Sequence, residues 1–407
     1  MNRSVDVVVV GAGPAGLSLA TRLRERGVAR VLVVEREATA GGVPRHCVHP
    51  GFGARDLHRF LSGPSYARAL VQRALATGVE IETSTFVTRV DPQGAQITSP
   101  AGISRVEARA VVLATGARER PRAARAVPGD RPAGVFTTGQ LQQWTYLEKL
   151  PVGRRALVVG AEHVSFSAIL TLRHAGVRTV ALVTPLGRHQ SVRGAQTLAR
   201  AARVPVVTNT RVIEIIGRRR VQSVVLEDLA TQKQWRESVD TVVFTGDWIP
   251  DNELARLAGV DIDVGTRGPA TDVNGRTNIP SLYAAGNVMH PVESADVAAL
   301  WARRVADTVA RELVHQPTQS RPRVSLAVQD PLAWVWPNCL VVGEDIAHLR
   351  LRTRDFTTST TLQALGASGD VLASGQIKRS TPHRSLRAPA AVRSALSRGD
   401  ATLLRLA

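Results

Sequence analysis

The chain has 407 residues, 44% of them hydrophobic, and a formal charge of +18, which is length enough for two or three domains with cores of their own. No apolar run approaches the roughly 20 residues that span a bilayer, and Val5–Val10 is too short for a signal-peptide core, so a cytoplasmic protein is expected. The positive charge suggests nucleic acid or anionic membrane, but only Lys149, Lys233 and Lys378 of the 52 basic residues are lysines, and aromatics make up 4%. The arginines are spread along the chain and stacking platforms are few, so steering of small anions or an acidic partner protein is expected, and no nucleic acid. Two isolated cysteines, Cys47 and Cys339, give neither a disulfide framework nor a C-x-x-C metal or redox pair, and no metal site is expected.

The first element pattern is an apolar strand from Asp6, a helix from Ala15 to Arg26, and a second strand closing on Glu35. Between strand and helix stands Gly11-Ala12-Gly13-Pro14-Ala15-Gly16, a G-x-G-x-x-G turn. Strand, turn, helix and terminal acid together form the dinucleotide-binding βαβ fingerprint. Gly11 permits the tight turn, Gly13 lets the backbone approach a pyrophosphate, and Gly16 lets the helix pack on the sheet. The helix start presents free N–H groups to phosphate. Glu35 lies about 20 residues on, where a carboxylate accepts ribose hydroxyls.

Helical spacing recurs over Ser65–Thr77, followed by short strands at Glu80–Thr83 and Phe86–Val90. Ala110–Gly116 reads as a buried strand ending in a small-residue turn. A second βαβ pattern follows: strand Ala156–Val159, helix Val164–His174 and strand Val180–Val183, stopped by Pro185. Further strands are expected at Val204–Val207, Val221–Glu227 and Thr241–Phe244. Ile279–Asn287 is a turn, a strand and a glycine, and a long helix runs from about Ser294 to His315. Gln316–Arg323 reads as a linker. Beyond it, runs such as Leu349–Arg352, Thr360–Leu365 and Val371–Lys378, broken by Gly, Asp and Ser, are the pattern of a small all-β domain.

With both βαβ units, Ala114-Thr115-Gly116 and Tyr283-Ala284-Ala285-Gly286-Asn287 placed, residues 5 to 315 resemble the pyridine nucleotide-disulfide oxidoreductase superfamily, the glutathione-reductase-like flavoproteins. Gly41–Cys47 and Gly286–Pro291 look most like the FAD-carrying subunits of opine, proline and cyanide-forming amino-acid dehydrogenases. The resemblance implies an α/β fold of two Rossmann-like dinucleotide-binding domains, one inserted in the other; the small C-terminal all-β domain lies outside it. Residues 1–125 and 265–316 would form the discontinuous FAD-binding domain and 126–264 a degenerate NAD(P)-binding-like domain. Residues 317–323 would be the linker and 324–407 the C-terminal domain.

The resemblance also implies site residues. Gly11, Gly13, Pro14, Ala15 and Gly16 would hold the FAD pyrophosphate, and Glu35, followed by Arg36, the adenosine ribose. Gly41 and Gly42 would let backbone pass the phosphates and ribityl chain, and Val87 would offer backbone to the adenine. Ala114, Thr115 and Gly116 would mark the crossing between domains. Gly286 and Asn287 would meet ribityl and phosphate, with Asn287 where the family usually has Asp. The helix starting near Ser294 would point its positive end at the flavin N1–C2=O edge, an effect of about 0.3–1 kcal/mol or more when buried.

Two departures bear on function. In disulfide reductases two cysteines follow the paired glycines; here Pro44 and His49 stand in those places, and Cys47 between them reads as a packed thiol. The second loop reads Gly160-Ala161-Glu162-His163-Val164-Ser165, with Glu162 where a glycine would admit a pyrophosphate, and the next strand ends at Val183-Thr184 with no acid. A carboxylate within about 4 Å of a phosphate charge costs on the order of 4 kcal/mol, which speaks against tightly held NAD(P). His46, His49 and His290 are the candidates for proton handling near the flavin, each with a structural role as the alternative. Arg45 would fix a substrate carboxylate or the pyrophosphate, or be an exposed arginine, and Glu293 would bind an amine or complement the helix start.

Three readings follow. The first is an FAD-dependent dehydrogenase, or dehydrogenase subunit, passing electrons from a small organic substrate to a partner subunit, quinone or other acceptor. The second is an NAD(P)H-dependent flavin reductase, and the third a flavin-bearing assembly or scaffold protein. A redox partner subunit or a homo-oligomer is expected.

Overall fold

The computed structural model describes residues 3–191, 197, 199–315, 322–344, 346, 348–382 and 384–407. Of the expected linker 317–323, only Pro322 and Arg323 lie within the described residues. The chain divides into two compact units: residues 1–45, 50–117 and 250–407 form the first, and 46–49 and 118–249 the second. The changes of unit thus fall ahead of the expected limits at 125/126 and 264/265, and residues 324–407 cluster with the first unit.

The first unit is built on a sheet of strand order Glu80–Glu82, Val31–Val34, Arg3–Val10, Gly102–Leu113, Gly94–Ser99, Phe86–Asp91, with Leu282–Ala284 also paired to Gly102–Leu113. The strand that feeds the glycine turn is central and parallel to both of its neighbours: Val10 is in register with Val34 on one side and Leu113 on the other. Its unbroken valine run has the pattern of a strand covered on both faces. Val7 and Val9 pack with Leu17, Ala20 and Leu23 of the helix Pro14–Glu25 and with Ala302, Val305 and Val309 of the long helix Ala295–Val314. Val8 and Val10 face the other way, into a core that includes Leu32, Val111, Met289, Trp334 and Trp336. Strand alternation accounts for the division.

The second unit has an all-parallel sheet in the order Val135–Thr137, Thr241–Phe244, Arg155–Val159, Arg178–Val183, Val206–Val207. The helix His163–His174 follows its central strand. An antiparallel sheet, Thr210–Ile216, Ser223–Asp228, Gln234–Ser238, completes it. The molecule is therefore a mixed α/β protein with two Rossmann-like parallel cores.

Residues 323–407 add mainly antiparallel sheets, with Ala327–Val328 paired parallel to Ala401–Leu406, around a core of their own that includes Leu351, Leu362, Leu396 and Leu404. One helix, Ala390–Ser397, accompanies the strands. Its Ala-rich sequence after Pro389, closed by Gly399 at φ +84°, favours a short helix. No described helix is long and apolar enough to cross a membrane.

Candidate functional site

The glycine turn has the shape of a phosphate cradle. A Cβ on Gly16 would lie 1.9 Å from the Gly11 carbonyl oxygen, and one on Gly11 (φ +106°) 2.6 Å from that of Ala114. These two glycines let turn, helix and sheet close on one another. Gly13 differs: a Cβ there would meet nothing within 4 Å. Gly13 is also the N-cap of the first helix and offers no side-chain cap, so the helix start opens into free space bounded by glycine. Gly42 (φ +62°) brings its Cα position against Gly13, where a Cβ would come within 2.8 Å, and Gly286 (φ +78°) approaches Ala15 to a built Cβ distance of 2.5 Å. Residues far apart in the chain thus converge on one open, uncapped helix start, and this cradle fits a dinucleotide pyrophosphate.

Glu35 is buried at the end of its strand, 8% exposed. Its Oε2 accepts from the Ala12 N–H at 2.8 Å and its Oε1 from the Glu37 N–H at 3.0 Å. Burial raises its pKa, opposed by the Ala12 N–H and the charges of Arg36 and Arg45. The carboxylate is held in one orientation, with a second lone pair on each oxygen for ribose hydroxyls. Arg36 points to the Asp251 carboxylate at 3.2 Å. Arg45 forms an ion pair with Glu37, so its guanidinium is already matched to a carboxylate of the chain.

At the far end of the cradle, the Thr115 hydroxyl donates to the Asp251 carbonyl at 2.6 Å and the Asp251 N–H to the Gly116 carbonyl at 3.0 Å. Ala114 is buried and Gly116 has φ +76°. Val87 lies near the start of its strand, in register with Ile97. Asp251 and Glu37 escape the sequence reading: 136 residues separate Asp251 from Thr115, and no local spacing marks either.

The loop after Gly286 engages the Asn287 side chain internally. Its Nδ2 donates to the Glu293 carbonyl at 3.1 Å and its Oδ1 accepts the Glu293 N–H at 2.9 Å. The amide fastens the loop to itself, with one N–H and one oxygen lone pair left over. Ser294 is the N-cap of Ala295–Val314 but gives no side-chain cap; its hydroxyl bonds the Asp296 carboxylate at 2.5 Å and accepts from Arg55 at 3.1 Å.

Of the three histidines, His290 belongs to the first unit and His46 and His49 to the second. His290, 1% exposed, is ringed by Trp301, Trp334 and Trp336 at centroid distances of 5.1–5.4 Å. Burial, with Arg352 and Arg350 nearby, lowers its pKa to about 3, so it is neutral at physiological pH. Neither ring nitrogen has a hydrogen-bond partner among the described residues. His46, in the second unit, lies with Nδ1 3.3 Å from Gln142 Oε1 and Nε2 3.5 Å from Gln143 Nε2. This arrangement suits a neutral imidazole donating from Nδ1. Cys47 also donates to Gln142 Oε1, at 3.3 Å, and burial pushes its thiol up to about 12, which keeps it from acting as a thiolate. His49 is half-buried beside them in sequence.

The second unit's loop closes on itself. Glu162 is the N-cap of His163–His174 in a capping box: its carboxylate accepts from the Ser165 backbone, and its N–H donates to Ser165 Oγ at 3.2 Å. Glu162 Oε2 also accepts the Ala161 N–H at 3.0 Å. Cβ atoms on Gly160 and Gly246 would lie 2.9 and 2.5 Å from the same carboxylate. The chain's own anion sits at this helix start.

A glycine cradle with a ribose-type acid, carried on one of two Rossmann-like units, defines an FAD-dependent oxidoreductase fold. The chain belongs to the pyridine nucleotide-disulphide oxidoreductase family, which matches residues 5–302. It is 33% identical over 180 residues to an opine oxidase subunit of Rhizobium meliloti (strain 1021), a match covering 44% of this chain and 38% of the opine oxidase chain. Thioredoxin reductase of Treponema pallidum (strain Nichols) is 27% identical over 71% of this chain and 90% of its own length. The solved thioredoxin reductase of T. acidophilum covers 77% of this chain and 100% of its own with a TM-score of 0.65, at 20% identity, a likeness of fold.

Proposed function

We propose that the protein is an FAD-dependent dehydrogenase, or the FAD subunit of one, that takes electrons from a small organic substrate of amino-acid, amine or hydroxy-acid type. It delivers them to a partner subunit, quinone or other acceptor rather than drawing them from NAD(P)H. The observation that carries this reading is Glu162: its carboxylate takes the helix-start position of the second loop that Gly13 leaves open in the first. A phosphate at that place would meet a like charge and displace three internal hydrogen bonds. Two further facts support it. The only cysteines, Cys47 and Cys339, are both buried and far apart in the sequence, so this chain lacks the closely spaced cysteine pair of a disulfide relay. And the opine oxidase match is to one subunit of an oxidase of organic substrates, although it spans less than half of that protein.

The flavin, when bound, supplies the hydride and electron chemistry. The chain's part is placement. Gly13 and the open helix start hold the pyrophosphate, Glu35 orients the adenosine ribose, and the Thr115–Asp251 pair fixes the turn beyond the cradle. By the family resemblance, the start of Ala295–Val314 would present its positive dipole end to the bound flavin. His290, neutral and enclosed, has the environment of a packing residue, and His46 that of a hydrogen-bonded one. His49, half-buried, stays among the residues this reading would test for proton handling.

Anaerobic mixing of the yellow protein with NADH and NADPH tests the reading, alongside turnover of opines, amino acids and hydroxy acids with an artificial acceptor. The expected result is an unbleached flavin band with nicotinamide and bleaching with one of the organic substrates. The near full-length match to a thioredoxin reductase favours the second reading, an NAD(P)H-dependent flavin reductase. Fast bleaching by NADH or NADPH would establish that reading and overturn the first. Native mass spectrometry from the source cell extract reads out a partner subunit or a homo-oligomer. A cytoplasmic setting is part of this reading, since two isolated cysteines make no disulfide framework.

A further inference from the structure

The loop from Asn287 to Ser294 sets the start of the 20-residue helix Ala295–Val314, and residues more than 40 positions later in the chain hold it. Asn287 closes it internally on Glu293. Arg352, from the strand Arg350–Thr353, donates from Nη2 to the Val292 carbonyl at 2.8 Å, two residues before the N-cap. The Arg352 guanidinium lies over the Trp334 ring at 5.1 Å, and Trp334 in turn packs on His290. Trp334 and Trp336 belong to the same apolar core as Val8, Val10 and Leu113 of the main sheet. The C-terminal strands are therefore part of the wall behind the helix start.

Arg352 is an unusual wall residue. It is 7% exposed, and burying a cation costs several kcal/mol unless it is paired. Its compensation is one carbonyl, one indole face and the charge of Glu293. Its Nε, the Nε of Arg350, the Oε1 of Glu293 and both nitrogens of His290 have no hydrogen-bond partner among the described residues. Holding a single carbonyl does not require a buried guanidinium, since a neutral amide donor would serve. A fixed positive charge directly behind a helix start, where the dipole is also positive, acts on any negative charge that develops in front of it.

We propose that Arg352 is a positioning and tuning residue for the flavin: it clamps the Val292 carbonyl, fixes the start of Ala295–Val314, and adds a buried positive charge that makes the bound flavin easier to reduce. The C-terminal segment thereby contributes to the redox site. This rests on the FAD reading above.

The test is the midpoint potential of FAD-loaded wild-type, Arg352→Gln and Arg352→Lys proteins, measured anaerobically by dye-linked reductive titration, with FAD affinity and thermal midpoint recorded for each. Gln keeps a donor for Val292 without the charge, and Lys keeps the charge without the fork. The expected result for Arg352→Gln is a tenfold or greater loss in preference for the reduced flavin, about 30 mV lower for a two-electron couple, with Arg352→Lys close to wild type. A purely structural role would change FAD affinity or thermal midpoint and leave the potential in place. A wild-type potential in Arg352→Gln overturns the proposal, and so does an equal shift in Arg352→Lys. Should Arg352→Gln fail to fold, Arg352→Met decides the same point by the same criterion. Wild-type protein that takes up no FAD overturns the flavin reading itself, and is distinguished by failing before any variant is compared.

Discussion

Gly13 and Glu162 hold the same place in two copies of one motif, Gly-Ala-Gly in the first unit and Gly-Ala-Glu in the second, each at the N-cap of a 12-residue helix behind a parallel strand. In the first, nothing approaches the N-cap side chain's place within 4 Å and the acid stands outside the loop, at Glu35. In the second, the acid is in the loop and spends itself on the backbone N–H groups around it. A helix start is an anion site in either case. What differs is the N-cap residue: glycine in the first loop, and in the second a carboxylate that supplies the chain's own anion.

The comparison breaks most severely at Gly16. A side chain there runs into the Gly11 carbonyl oxygen at 1.9 Å, and backbone cannot give way as a flexible side chain does. Gly16→Val is expected to cost at least about 4 kcal/mol, read as a collapse of the urea midpoint together with loss of yellow colour. Gly13→Glu copies the second loop into the first. Because that position faces open space, folding is expected to persist, while FAD affinity falls by on the order of a thousandfold, the equivalent of about 4 kcal/mol. Equilibrium dialysis against FAD, with thermal melting as control, separates the two outcomes. A Gly13→Glu protein that keeps tight FAD would remove the physical basis of the comparison.

Much of this contrast is legible before any fold is known, because glycines and acids at fixed offsets are local signals. The valine run, the turn and Glu35 announce the first site, and Glu162 announces the altered second one. The paired strands and their helices follow from periodicity in the same way. What local spacing does not carry is contact across long separations. Nothing near His290 marks it for a box of tryptophans, since Trp334 and Trp336 lie more than 40 residues on, in the strand Leu332–Trp336 that spacing does not pick out. Nothing near His46 points to Gln142 and Gln143, nearly a hundred residues on. Asn287 shows the remaining limit: its type suggests a polar contact, and the internal bonds of its amide to Glu293 are not legible from spacing.

Buried carboxylates sharpen the comparison next. Both Glu35 and Glu119 are raised by burial, but Glu119, in the second unit, reaches about 7. The Gly139 N–H donates to its Oε2 at 2.6 Å, and its Oε1 has no partner among the described residues. Folded protein binds this proton more tightly than the unfolded chain does. Stability from this residue is therefore fully present in acid and is lost as pH rises from the ordinary carboxylate range to about 7, after which it is constant. The loss is on the order of 3 kcal/mol at 1.36 kcal/mol per unit. Glu119→Gln should remove that slope, seen as a smaller difference between urea midpoints at pH 5 and pH 8 than in wild type. An unchanged difference would mean that water or relaxation already satisfies the ionised group.

The smallest effect is the reverse exchange, and it is the most informative about function. Glu162→Gly removes the capping box but leaves glycine, itself an acceptable N-cap residue, so the cost is expected at about 1 kcal/mol or less. It also removes the like charge from the helix start and frees the Ala161 and Ser165 N–H groups. If the carboxylate is what keeps a pyrophosphate out, NADH affinity should rise at least tenfold, measurable by fluorescence titration of FAD-loaded protein. Tight binding is not expected, because Ser165 still stands in place of the third glycine and the following strand ends at Thr184 with no acid for the ribose. A variant that binds NADH no better than wild type, while melting slightly earlier, would show that the second unit was shaped against nicotinamide at more than one point. A tenfold gain with intact folding would instead locate the barrier in this one side chain.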